Sequence, residues 1–343
     1  MNRRHFVSLA ASSSLAFPSI NLGKAKPAPI KIGQIGMGHP HARGKMAAIR
    51  KNPEFEFVGL AEIDEIRKPG ERSVEQLLNT PNLQAVAIET SIKDSQEYAL
   101  LVSKAGLHQH LDKPGAIDLP GFKAVCLEAE RQKRIIQMGY MLRYNPAFEL
   151  CFRAVREGWL GNLFELSAVM SKTVGQKTRN HIAQFSGGFM FELACHVIDA
   201  AVYILGKPDR VTPFIRRTRP ETDTLADNCL AVLEYPEATA TIRTAAMEFD
   251  GFKRRQFVVC GDQGTVDIRP MEPPKMLLAL AEARGGFRKG YQDVQLEHNL
   301  GRYDGEFTDF AACIRGEKEF AWSYAHDIAV FETVLRASGM PID

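Results

Sequence analysis

From Pro29 onward, short runs rich in β-branched residues alternate with longer stretches of helical period. Residues 29–35, 55–61, 85–88, 108–111 and 135–138 read as strands, and residues 42–51, 94–104 and 119–132 as amphipathic helices. Strands that alternate with helices imply a parallel sheet whose ligands gather at the strand carboxyl ends. The link from Glu62 to the helical stretch near residues 71–78 contains Lys68-Pro69-Gly70. It is short for a full crossover helix, which would open one side of a ligand site. After residue 163 the pattern changes. Residues 163–171, 223–235 and 238–247 alternate apolar and polar positions, and Pro236-Glu237 supplies a turn. Residues 257–260 and 266–268 flank Gly261-Asp262-Gln263-Gly264, a hairpin turn. Strands without intervening helices predict an antiparallel sheet, and helices over residues 303–315 and 326–337 close the chain.

The first strand ends in Gly36-Met37-Gly38-His39-Pro40-His41, directly before a helix. That context is the one a phosphate-binding turn needs. Gly36 makes the tight turn, Gly38 admits a pyrophosphate, and the helix amino end offers free amides. His41 stands where the fingerprint usually has Gly or Ala. Gly36, Met37, Gly38 and His41 are therefore cofactor-site candidates. Glu62, at the end of the second strand, is spaced to hydrogen-bond an adenosine ribose, with Asp64 as a second candidate. A carboxylate there repels a 2′-phosphate, so NAD is expected over NADP. Thr90, in Glu89-Thr90-Ser91 after the third strand, is placed to reach the same cofactor. The fold class is thus α/β. A Rossmann NAD(P)-binding domain is expected over residues 29–147. A C-terminal α+β domain with a large, mainly antiparallel sheet is expected over residues 148–343.

Composition narrows the partners. Hydrophobic residues make up 45% of the 343 and charged residues 24%, values of an ordinary globular protein. Formal net charge is +2, with no basic run after the first few residues, which argues against nucleic acid. After residue 30 no uncharged apolar stretch is long enough to span a bilayer. The six cysteines are scattered without a Cys-x-x-Cys pair and read as small buried hydrophobes, disulfides being the alternative. Residues 1–28 are different. Arg3-Arg4-His5-Phe6 followed by an uncharged, mildly apolar stretch to Gly23 resembles a twin-arginine export signal. It implies a periplasmic or exported protein that carries its cofactor out already folded; a disordered tail would leave the chain cytoplasmic.

Asp112-Lys113-Pro114 follows the fourth strand, where a nicotinamide would reach. Downstream, Gly187-Gly188-Phe189-Met190-Phe191-Glu192-Leu193-Ala194-Cys195-His196-Val197-Ile198-Asp199 runs into a helix. Together these resemble the Gfo/Idh/MocA family, named for glucose–fructose oxidoreductase, inositol dehydrogenase and rhizopine catabolism. Its signature is Glu-Lys-Pro after the fourth strand, then a glycine turn, an acid, and a His four residues later. The resemblance covers residue 30 to the C-terminus. It implies that His196 accepts the proton of the reacting hydroxyl, that Lys113 steadies the alkoxide and orients the substrate, and that Glu192 binds substrate hydroxyls or fixes the imidazole. It also implies a cis bond at Pro114 and homo-oligomers formed through the C-terminal sheet. Asp112 and Glu192 exchange the acid lengths usual at those places. Spacing alone would also let Glu192 and His196 hold a metal, but no third ligand is evident and none is expected. Tyr140, Arg143, Asn145, His181 and Asp199 are candidate substrate contacts, with residues 171–184 expected as a loop over the pocket. The implied activity is hydride transfer between NAD(P) and a sugar, polyol or cyclitol hydroxyl. The alternatives are an NAD-dependent glycoside hydrolase or lyase that recycles its cofactor, and a non-catalytic sugar binder on the same fold.

Overall fold

Ile30–Ile35 (β1) is buried along nearly its whole length, as expected of a central parallel strand. The computed structural model describes residues 27–63, 66–297 and 301–343, so Asp64 and the Arg3-Arg4 segment lie outside the described residues. β1 pairs in parallel with Phe55–Ala61 (β2) on one side and Ala85–Ile88 (β3) on the other. His108–Leu111 (β4) and Ile136–Met138 (β5) extend the sheet to five parallel strands in the order β2-β1-β3-β4-β5. The order reverses at β1 and β3, so the loops after these two strands part to form a crevice.

The crossovers are Ala42–Lys51 (α1), Val74–Leu78 (α2), Ile92–Lys104 (α3) and Leu119–Arg131 (α4). The short link read from the sequence is borne out in form. α2 is one five-residue turn, held by a reciprocal capping box between Ser73 and Gln76. α2 packs on the face of Val86 and Ile88, and the opposite face, which carries α1, is completed when the chain returns. Asp304–Ile314 (α8) lays Phe307, Phe310 and Ala311 against Ile30, Ile32, Phe55, Ala85 and Ala87. The first layer therefore draws on both ends of the chain.

Pro146–Arg156 (α5) leads into the second layer. It is capped by Asn145 and opened by proline at its first position. The second sheet has eight strands in the order β13-β12-β11-β10-β6-β9-β8-β7. They are Leu163–Val169 (β6), Arg210–Arg216 (β7), Asn228–Glu234 (β8), Thr239–Ala245 (β9), Gln256–Gly261 (β10), Gly264–Met271 (β11), Pro274–Leu280 (β12) and Gly290–Val294 (β13). Every pairing is antiparallel except β6 with β9. β7, β12 and β13 escape the periodicity reading. Pro213 in β7 argues against a central strand, and the structure puts β7 at an edge, where proline is tolerated. The strand expected from residue 223 starts later, at Asn228, because Asp223 and Asp227 turn their carboxylates onto Arg179. Arg179 lies in Gln176–Ile182 (α6), so the segment expected as a plain loop contains a short helix pinned by those two ion pairs. Cys195–Leu205 (α7) and Tyr324–Ala337 (α9) pack between the sheets. All six cysteines are free thiols, five buried and Cys260 partly so.

Candidate active site

The carboxyl end of the parallel sheet faces the second layer across a cavity of about 530 Å³. That is within the range of small-molecule sites. Gly38, His41, Lys113, Glu192, His196 and His181 all line it.

Gly36 has φ +80°, and a Cβ there would sit 2.9 Å from Thr90 Cα. A Cβ on Gly38 would sit 2.7 Å from the Ser91 nitrogen. Both glycines let the loop after β1 press against the loop after β3, which brings Thr90 beside the turn. Met37 receives the Gln34 side-chain amide on its sulfur at 3.2 Å. Glu62 follows β2 directly, alongside Gly36, whose N–H donates to the Ala61 carbonyl at 2.8 Å. Among the described residues its carboxylate accepts only from the next backbone N–H, at 3.2 Å, and it is half-buried at the end of the sheet. A turn with a left-handed glycine and a carboxylate one strand away fits a dinucleotide.

His41 does not sit in the helix–strand contact that its place in the fingerprint implies. Its ring swings to the cavity, with Nδ1 3.1 Å from an Asp112 oxygen. His39 Nδ1 is 2.9 Å from the same oxygen, and Lys45 Nζ 3.0 Å. Burial would raise the Asp112 carboxyl, but His39, Lys45 and His41 outweigh it and hold the group well below the usual range. Burial lowers His41 to about 4, so the imidazole is neutral and donates to the carboxylate. Behind Asp112 lies a sealed polar cluster. His110 presents Nδ1 to the Gln137 carbonyl oxygen at 2.9 Å and Nε2 to Lys45 Nζ at 2.7 Å. The Gln137 amide nitrogen donates elsewhere, to the Glu306 carbonyl and the Tyr144 hydroxyl, both at 2.9 Å. This places the proton of His110 on Nδ1 and leaves Nε2 to accept from lysine. Buried Glu89 and Glu306 complete the surround of Lys45, at 3.8 and 3.6 Å. Burial raises both acids, Glu306 to about 7. His39, His41 and Asp112 bring ligating atoms within 4.8 Å of one another. The Lys45 ammonium already takes the place a cation would fill beside that carboxylate.

Asp112 then orders the next residue. Its Oδ1 accepts the Lys113 N–H at 2.7 Å, and the Lys113–Pro114 bond is cis. The Lys113 side chain is buried and donates to the Glu192 carbonyl at 2.7 Å and to Glu192 Oε1 at 3.0 Å. Glu192 thus meets Lys113 rather than the imidazole. Burial would raise its carboxyl, yet Lys113 and Lys172 hold it at about 2. Met190–Ala194 forms a π-helical turn that runs into α7. The wider turn carries Glu192 to Lys113 while His196, in the first turn of α7, still faces the cavity. His196 is driven well below the ordinary histidine range, first by burial and then by Lys113. Its Nδ1 is buried and has no hydrogen-bond partner among the described residues. The ring centroid is 6.2 Å from that of His41 and 6.1 Å from that of Tyr140.

The other candidates divide. Tyr140 is buried beside His196, and His181 reaches the cavity from α6. Arg143 and Asp199 are not in it. They form a buried ion cluster with Asp327 and His326, Arg143 Nη2 lying 2.7 Å from Asp199 and His326 Nε2 3.1 Å. Asn145 caps α5, donates to the Met271 carbonyl at 3.0 Å and lines a separate cavity of about 290 Å³. Spacing from the last parallel strand could not distinguish a side chain aimed at the cleft from one aimed into the layer behind. Lys172, Arg255, Arg302 and Tyr303 line the main cavity and were not candidates. They come from loops without a motif and meet only when the sheets pack.

Residues 148–267 match the GFO/IDH/MocA C-terminal domain family model. YdgJ of Escherichia coli, an uncharacterized oxidoreductase, is 22% identical over 83% of this chain and 88% of its own length. An inositol 2-dehydrogenase of Pseudomonas syringae is 23% identical over 76% of each chain. The aldose-aldose oxidoreductase of Caulobacter crescentus, solved in complex with glycerol, has TM-score 0.76 at 18% identity, covering 91% of this chain and 98% of that one. Residues 148–267 therefore carry the GFO/IDH/MocA C-terminal domain, and the chain shares its fold nearly end to end with a solved aldose-aldose oxidoreductase.

Proposed function

We propose that this chain moves hydride between a nicotinamide dinucleotide and a secondary alcohol of a sugar, polyol or cyclitol. One observation carries the reading. Lys113, fixed by Asp112, and a neutral His196 face one cavity at the carboxyl end of the parallel sheet. When bound, the nicotinamide supplies the hydride acceptor. The chain's part is acid–base and electrostatic. His196 accepts the hydroxyl proton, which a neutral imidazole does and an imidazolium cannot. Lys113, with Glu192 beside it, donates to the oxygen as its charge develops. Cavity-lining His41 offers a further hydrogen bond close by. Glu62 favours NAD over NADP, since its carboxylate would hydrogen-bond a ribose diol and repel a phosphate.

Export by the twin-arginine-like segment belongs to the same proposal, with the folded, loaded chain as cargo. The test begins with the full chain purified from the exported fraction, denatured, and assayed for released nucleotide by mass spectrometry. NAD(H) near one per chain is expected, and an exported chain without nucleotide-binding capacity overturns the reading. Lys113→Ala and His196→Ala should retain nucleotide and lose at least about a hundredfold in turnover. Near-normal rates in both would remove them from the chemistry.

A further inference from the structure

The wall of the cavity contributed by the second layer carries more positive charge than a neutral sugar requires. Lys172 lies just beyond β6, Arg255 just before β10, and Arg302 just ahead of α8. Glu272 takes Arg255 Nη1 at 3.1 Å and Arg302 Nε at 3.2 Å, so one carboxylate aligns two guanidiniums and neutralises one of them. Arg255 is further fixed by the Ser171 carbonyl at 3.3 Å and by the Phe252 ring, 3.8 Å from its guanidinium carbon. The Lys172 backbone donates to the Ala245 carbonyl at 3.1 Å, but its ammonium has no hydrogen bond or ion pair with any described residue. Its ammonium stands half-buried, 5.9 Å from the centre of the Phe189 ring. Burial holds it below the usual lysine range. Lys113 is already matched by Glu192. Four cations therefore meet two carboxylates around one cavity. A desolvated, unpaired ammonium beside a pre-aligned arginine pair is costly unless something anionic completes it.

The pyrophosphate of a dinucleotide does not account for this wall. Its expected seat is the amino end of α1, and a 2′-phosphate would lie beyond Glu62 at the end of β2. Lys172 and Arg255 belong to the opposite sheet.

We infer that the substrate is an anionic sugar, polyol or cyclitol derivative, its carboxylate or phosphate ester held by Lys172, Arg255 and Arg302 while its hydroxyl lies at His196. The hydroxyl chemistry rests on the oxidoreductase reading above; the anion site does not depend on it.

The experiment is calorimetric titration of the full chain, loaded with NAD, with matched ligands. The pairs are D-glucuronate with D-glucose and D-galacturonate with D-galactose; D-glucose 6-phosphate separates a phosphate from a carboxylate source. Wild type is compared with Lys172→Met and Arg302→Gln, each checked for an unchanged thermal midpoint. At least about tenfold tighter binding of the acid member is expected in one pair or for the phosphate, weakened by added salt. That preference should fall about tenfold in Lys172→Met. No anionic preference in any comparison overturns the inference, as does a preference unchanged in both variants. Loss of NAD affinity in Lys172→Met with the acid preference intact assigns the charge to the cofactor and also overturns it. Anions that bind without any hydride transfer leave the anion site standing and count against the oxidoreductase reading instead.

Discussion

At the scale of single residues, the site is built by paired charges that cancel in steps. Lys45 is shared among Asp112, His110, Glu89 and Glu306, which leaves Asp112 ionised and its neighbouring histidines neutral. Asp112 in turn fixes the Lys113 backbone, and Lys113 takes up the Glu192 carboxylate. Lys113 then depresses His196, whose burial already disfavours the charged form. The sign for pH dependence follows. A group with a lowered conjugate-acid pKa keeps its basic form as the solution is acidified. The acid limb of kcat/KM for alcohol oxidation is therefore expected below the ~6.5 of a free imidazole. Lys113→Met should move that limb upward, because one depressing charge is gone. A wild-type acid limb at or above ~6.5 would show that His196 is not the proton acceptor.

At the scale of elements, two departures from regular pattern shape the chemistry. The π-helical turn at Met190–Ala194 widens the helix just where Glu192 must reach Lys113 and His196 must face the cavity. A regular helix would keep the two side chains on one stripe and would not divide their tasks in this way. The second departure is α8. It covers the sheet face opposite α2, beside α1, and it carries Glu306 into the Lys45 cluster. Phe307 is fully buried, its ring 4.8 Å from that of His110 and 6.1 Å from that of Phe55. Phe307→Ala should cost about 3–5 kcal/mol in urea unfolding, the usual range for a deleted core aromatic. A loss below about 1 kcal/mol would mean that α8 does not close this layer in solution.

At the scale of the molecule, the cleft lies between two layers and the second sheet turns its other face outward. β8 shows the alternation plainly, with Cys229, Ala231 and Leu233 buried and Leu230 and Val232 half-exposed. Phe214 lies opposite Leu230 in the register of β7, and Tyr291 lies opposite Ala279, two residues from Leu277. Phe214, Leu277 and Tyr291 are exposed, Tyr291 at 72%. We propose that this outward apolar face joins copies of the chain. Light scattering should find an oligomer for the wild type and a smaller species for Leu277→Asp combined with Tyr291→Asp. A monomeric wild type would remove the proposal. Among the described residues no helix is long and apolar enough to cross a membrane.

The parallel sheet, its strand ends and the short link at α2 were legible from residues alone, because hydrophobic period and glycine placement are local signals. So were the Asp112-Lys113-Pro114 turn and the Glu192 to His196 spacing, as contiguous motifs. Edge strand β7 was not, since Pro213 speaks against a strand until its neighbours are known. α6 was not, because its two ion pairs join Arg179 to acids more than forty residues away. The separation of Tyr140, beside His196, and His181, in the cavity wall, from Arg143 and Asp199, which seal a buried ion cluster, depends on which way each side chain leaves its element once the layers pack. Lys45 with Asp112, and Lys172 with Arg255 and Arg302, are meetings between distant segments. Charge is a local property of a residue, but a pKa or a binding site depends on which charges burial brings together.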